Sequence, residues 1–168
     1  MTANPKSVKD AIGMTADAMG PDWLPEIYRK RVRKGRTRAF DLSLRPTHHD
    51  AEILHTLLGI QLRVGGKLIS CPDLATARYL RVFARAGCSS VAVPYDIRSI
   101  SAIADDLESS WQRTMLVFSS ICGKSFAPST EGRRRAALVR AIRDEVSGIG
   151  TGEAVPKFET ETRQRIRK

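Results

Sequence analysis

The sequence predicts an α+β domain, and three observations carry that prediction. Between residues 47 and 122 the apolar spacing switches between the two-residue period of a strand and the 3.6-residue period of a helix. Gly65-Gly66 sits between two alternating runs, which is a hairpin signal. An apolar stripe at helical spacing then runs from Ile100 to Cys122. The predicted order over 47–122 is α-β-β-α-β-α, the core of a single compact domain flanked by basic helices. Three segments follow: 1–39, helical with a basic arm; 40–122, the core; and 123–168, a basic helix and a tail.

Taken in order, residues 7–19 read as a short helix stopped by Gly20-Pro21. Pro25 suits the first turn of a second helix reaching Lys34, with Gly35 as its stop. Leu24, Tyr28 and Val32 give that helix one narrow apolar stripe. Residues 38–44 alternate weakly and read as a strand, broken by Arg45-Pro46. Thr47 is a good N-cap, so 48–58 reads as a helix with Ile53, Leu54, Leu57 and Leu58 on one face. Ile60–Val64 and Lys67–Cys71 alternate around a predicted type I′ turn. Pro72 opens a helix through Ala86, and Gly87 closes it. Ser89–Tyr95 is a β-branched run that reads as a buried strand, and 99–121 is the longest helix. After a linker at 123–130, Ser129 or Thr130 caps a helix near 131–146 with Leu138, Ile142 and Val146 as its stripe. Residues 147–168 read as a mobile tail, and no internal repeat is found.

The chain has 168 residues, 28 Lys+Arg against 18 Asp+Glu, and a net charge of +10. At 42% hydrophobic residues it has enough apolar surface for a core, which argues against full disorder. No apolar run approaches the ~20 residues of a membrane span. The N-terminus lacks the apolar stretch of a secretory signal. Three cysteines without zinc spacing fit a reducing compartment, so a cytoplasmic location is expected. The charge is uneven. Residues 29–45 hold eight basic residues against Asp41 alone, a net +7, and residues 123–168 hold eleven against six, a net +5. Residues 46–122 are neutral. Concentration of this kind reads as an electrostatic footprint for an anionic partner.

Three basic clusters are the candidate contacts. Arg29, Lys30, Arg31, Arg33, Lys34, Arg36 and Arg38 form the densest. Arginine forks match phosphate oxygens, and counterion release drives such binding; the bland alternative is a solvated helix. Arg78, Arg81 and Arg85 form one stripe on the 73–86 helix. They are either a phosphate-facing ridge or stems lying along a core edge and pairing with Asp105 or Asp106. Arg133, Arg134 and Arg135, with Arg140 and Arg143, make an amphipathic basic helix. The expected function is non-catalytic binding of an RNA or DNA backbone. RNA is slightly favoured, because an arginine-rich helix can enter a widened RNA groove and no base-reading helix pair is visible. No RNA-recognition signature is present, and both tryptophans sit at core spacing. A protein-protein adaptor for an acidic partner surface is the first alternative.

A small enzyme, such as a metal-dependent nuclease, is the second. On a 48–58 helix, His48, Glu52 and His55 share the polar face, with His49 and Asp50 beside them. That resembles a metal clasp, but no third ligand is identifiable, and a solvated face is the expectation. Asp73 and Asp96 flank a hairpin that itself has no carboxylate, which is little for a nuclease. Cys71 precedes a helix start, where a thiol pKa is lowered, but it lacks a partner base and reads as structural. Cys122-Gly123-Lys124-Ser125 imitates the end of a P-loop, yet Phe118 stands where the first glycine is needed. Gly148–Gly152 reads as a linker. No metal and no cofactor is expected.

Overall fold

Ser7 starts the first helix, α1 (Val8–Met19), by accepting a hydrogen bond from the Asp10 amide at 3.1 Å. The computed structural model that shows this describes residues 3–123 and 125–151. Gly20, at φ 56°, ends α1 and leads through one 3₁₀ turn (Gly20–Asp22) into α2 (Leu24–Ile27). Helix α2 runs directly into a π-helical turn, Tyr28–Val32, closed by the Arg33 amide on the Tyr28 carbonyl at 3.0 Å. The predicted second helix is therefore shorter and wider than expected. Its widened turn keeps Leu24, Ile27, Tyr28 and Val32 all buried, with Arg29, Lys30 and Arg31 outside.

Strand β1 (Thr37–Asp41) pairs antiparallel with β5 (Ser90–Pro94), Ala39 opposite Ala92. Strands β2 (Ala51–Thr56), β3 (Gly59–Val64) and β4 (Lys67–Cys71) form a separate antiparallel meander. Asp73 caps α3 (Leu74–Ala86) by accepting from the Thr76 amide at 2.7 Å, and Asp96 caps α4 (Ile97–Cys122). A single 3₁₀ turn, Pro128–Thr130, precedes α5 (Glu131–Ile149). The class is α+β, in a single compact domain.

The predicted helix over 48–58 is a strand followed by a turn, so the core order begins β-β-β rather than α-β-β. Ile53 and Leu62 are paired across β2 and β3, and the strand partner outweighs the weak helical spacing. Leu57 and Leu58 occupy the hairpin tip, 107% and 93% exposed, with the Leu58 amide held by the Thr56 hydroxyl. The Gly65-Gly66 turn also differs from its expectation. Only Gly65 has positive φ, the type II′ pattern rather than type I′. Thr130 stands at the start of α5, but its hydroxyl donates to the Ala127 carbonyl instead of capping the helix.

One apolar cluster joins all these elements. It includes Ala11, Trp23 and Tyr28 near the N-terminus, Tyr79 and Phe83 of α3, Val91–Val93 of β5, and Leu138 and Ile142 of α5. The buried backbone of Ala92 is answered by two tyrosines. The Tyr28 hydroxyl accepts from the Ala92 amide at 2.9 Å, and the Tyr79 hydroxyl donates to the Ala92 carbonyl at 2.5 Å. A two-stranded ribbon leaves such groups open, and burial makes them costly unless paired. Burial pushes both phenols above their ordinary pKa.

Two further contacts fix the C-terminal end of α5. Tyr28 donates to the Gly150 carbonyl, and Trp23 Nε1 donates to Glu145 at 3.1 Å. At the other side of the core, Gly87 adopts φ 74° to close α3. A side chain there would put its first carbon 2.1 Å from the Thr47 carbonyl oxygen, so only glycine lets the 45–50 loop lie on this helix end.

Candidate nucleic-acid interface

The first basic cluster is partly neutralised by carboxylates that its sequence neighbourhood only partly reveals. Arg29 pairs with Glu26, and Lys30 reaches the same carboxylate at 3.5 Å. Arg31 pairs with Asp106 of α4. Arg33 donates to the Thr37 hydroxyl at 3.3 Å and lies beside Gly150. Lys34, Arg36 and Arg38 are exposed and have no carboxylate partner among the described residues. Arg36 lies over the Tyr95 ring at 5.7 Å. This segment is also anchored by buried Tyr28 and Val32, so its cations extend from a fixed base rather than from a free rod.

On α3 the predicted ridge divides. Arg78 pairs with Asp105 and with Glu108 at 3.0 Å, and Arg81 pairs with Glu108 at 2.9 Å. Hydrogen bonds to Glu108 and then Asp105 hold the Arg78 guanidinium firmly charged, above its ordinary range. Arg85 makes no ion pair in this network, although Glu108 and Asp50 lie near enough to oppose the lowering of its pKa. Desolvation, and then the neighbouring charge of Arg81, lower its pKa.

On α5 the three consecutive arginines have different fates. Arg134 is only 7% exposed. Its Nε donates to the Thr130 hydroxyl at 3.1 Å, its Nη2 to the Ala127 carbonyl at 3.3 Å, and its plane lies over Phe126 at 5.4 Å. It is therefore removed from the set of outward phosphate contacts, because burial and these bonds hold it inside. Arg133 and Arg135 are exposed and carry no carboxylate partner among the described residues. Arg143 donates to the Ala86 carbonyl at 3.1 Å, tying α5 to the end of α3.

This packing brings Arg85 and Arg135 to one residue that sequence reasoning read differently, His48. Its ring stacks on Trp111 at 6.4 Å and 20°. Partial burial and then Arg135 hold His48 below the usual value of 6.5; Asp50 opposes this, while His49 and Arg85 add to it. One charge from the second basic cluster and one from the third thus both act on His48, with Asp50 opposing them. The first cluster does not join them. It lies by the far end of α5, and Arg135 and Gly150 are about 22 Å apart along the axis at 1.5 Å per residue.

The suggested metal clasp loses its geometry with the 48–58 helix. His48 precedes β2, while Glu52 and His55, an odd number of strand positions apart, fall on opposite faces of β2. Glu52 pairs with Arg63 of β3. His49 donates from Nε2 to the Arg45 carbonyl at 2.8 Å. Asp73 and Asp96 serve as helix caps, and no group of three or more metal-ligating side chains is found among the described residues. Cys71, Cys88 and Cys122 are buried. Burial pushes the Cys71 thiol up to about 11, overriding the helix start beside it, and the Cys88 thiol up to about 12. Lys124 and residues 152–168, including most of the expected tail, lie outside the described residues.

Among the described residues, no helix is long and apolar enough to cross a membrane. Comparison with known proteins finds no matching family model, no matching curated protein and no matching solved structure.

Proposed function

We propose that this protein binds a nucleic-acid phosphate backbone and performs no chemistry on it. The contacts are Arg85, Arg133 and Arg135, with Lys34, Arg36 and Arg38 as a second patch on the segment leading into β1. The observation that carries this reading is that Arg85 and Arg135, whose charges both act on the Trp111-stacked His48, are ion-paired to no carboxylate among the described residues, with Asp50 the opposing charge there. A guanidinium without a carboxylate exchanges only water and counterions for a phosphate oxygen, whereas a paired one must first give up its partner. Arg29, Lys30, Arg31, Arg78 and Arg81 therefore contribute field rather than direct contacts.

A preference for RNA over DNA requires an arginine-rich helix able to enter a groove. Because Tyr28 and Val32 anchor that helix, the proposal carries no groove insertion and no preference for RNA duplex. The test is a titration of mixed-sequence RNA and DNA with purified protein in 50 mM salt. Binding of either, competed by the other, supports the reading. No measurable affinity for either overturns it. Binding to poly-glutamate that nucleic acid does not compete away points instead to an acidic protein partner.

A further inference from the structure

Beside the cluster at His48 lies a cavity of about 350 Å³, between the C-terminal half of α4 and the first turns of α5. Its walls are Met115 and Phe118 from α4, Phe126 and Pro128 from the connecting loop, and Arg134 and Arg135 from α5. That volume lies in the range of small-molecule sites. The lining combines aromatic and apolar side chains with two guanidiniums, one of them laid on Phe126. Ser119 and Glu131 add a hydroxyl and a carboxylate.

Arg134 gives this cavity its built character. The residue is more than nine-tenths buried, with its guanidinium plane laid on Phe126 and two of its three nitrogens bonded to the protein. Nη1 has no hydrogen-bond partner among the described residues, and the side chain forms part of the cavity wall. Arg135 belongs to both places. It lines the cavity and it is one of the charges acting on His48. Trp111, on which His48 stacks, is one helical turn before Met115 of the wall. Phosphate contacts and an aromatic pocket are thus adjacent, sharing one residue.

We infer that the cavity accepts an unstacked nucleobase of a single strand whose phosphates rest on Arg85 and Arg135. The inference deepens the proposed function and rests on it. Every base has a π-face, so an aromatic and guanidinium wall takes bases with little regard to sequence. Nη1 of Arg134 offers a donor, and Glu131 and Ser119 offer acceptors, to the base edge. A base inside a duplex is stacked on both faces and paired along one edge, and does not enter. The site therefore selects single strands over duplexes, a choice that basic residues alone do not make.

The test compares three fluorescent twelve-nucleotide probes with the full chain in 50 mM salt: an oligothymidylate, an abasic strand with the same phosphates, and a duplex. The oligothymidylate should bind about tenfold more tightly than the abasic strand, the gain expected from base stacking. It should also bind more tightly than the duplex. Phe126→Leu keeps the apolar volume and should erase the advantage of the base while leaving abasic binding unchanged. Phe126→Ala should do the same, provided its melting temperature stays near that of the parent. Equal affinity for thymidylate and abasic strands overturns the pocket while leaving backbone binding intact. Absence of binding to all three overturns both.

Discussion

Two arginine-rich stretches, 29–31 and 133–135, look alike in sequence and differ in their surroundings. In the first, every cation meets a carboxylate: Glu26 takes Arg29 and Lys30, and Asp106 takes Arg31. In the second, Arg134 is drawn into the loop before α5, and its two neighbours remain exposed without carboxylates among the described residues. Charge density along the chain is therefore a poor guide to charge available for a ligand. What matters is which carboxylates the fold brings across, and Asp106 lies 75 residues from the arginine it answers.

The strongest way to break this comparison is charge reversal in each stretch. Arg133→Glu with Arg135→Glu should weaken nucleic-acid binding about 100-fold or more, since each lost charge-assisted contact is worth about 1.5–3 kcal/mol. Arg29→Glu with Lys30→Glu should change it only about threefold, because field is lost there but no direct phosphate bond. Equal losses in a filter-binding assay would show that ion pairing does not sort these residues.

Anchoring of the first stretch is tested by Tyr28→Phe. This leaves the buried Ala92 amide without its partner and should cost about 1–3 kcal/mol, read by urea unfolding, with affinity unchanged in the folded protein. A loss of binding without a loss of stability would instead place Tyr28 at the interface.

Glu108→Gln sharpens the comparison from the opposite side. It removes the charge that occupies Arg81 and one of the two that hold Arg78, Asp105 remaining on Arg78, so that Arg81 comes to resemble the open cations of α5. Affinity should rise about fivefold, and the salt dependence should steepen by about 0.7 for each additional phosphate neutralised on a single strand. An unchanged slope would mean that this part of α3 faces away from the ligand.

The smallest expected effect is on pH. Desolvation and then Arg135 hold the His48 pKa below its ordinary value, and a bound phosphate favours its protonated form. Affinity should rise about threefold as pH falls from 7 through the folded pKa, and His48→Gln should flatten that rise. Stability has the opposite sign. The unfolded chain takes the proton near 6.5 and the folded chain only at lower pH. The contribution of His48 is therefore present above 6.5 and is lost as pH falls, and partial exposure keeps it small.

Most of the fold was legible where side-chain spacing and end signals agree. Pro72 before α3, Gly87 after it, and the stripe from Ile100 to Cys122 all mark elements that the structure has, whereas the capping role of Asp73 was not read. The failure at 48–58 has a physical cause. Leu57 and Leu58 lack the glycine or asparagine that announces a hairpin, and the Thr56 hydroxyl and Gly59, at φ 114°, shape that turn instead. Ala51, Ile53 and His55 do alternate, a weak signal that the Thr47 cap obscured. For the site, the basic clusters were legible but their partners were not. Asp105 was a recognised candidate for the α3 ridge, whereas Glu108 and the stacking of His48 on Trp111 arise from how α3, α4 and the 45–50 loop pack. The cavity is likewise a product of packing, although Phe126 and Arg134 are eight residues apart in sequence.

The salt dependence of binding tests the central claim most directly. Five to seven phosphate contacts on a single strand give a log–log slope of about −3.5 to −5. Affinity for a labelled oligonucleotide should then fall about 100- to 1,000-fold between 50 and 200 mM salt. Affinity that does not change over that range, or no binding at 50 mM, would contradict recognition of a phosphate backbone.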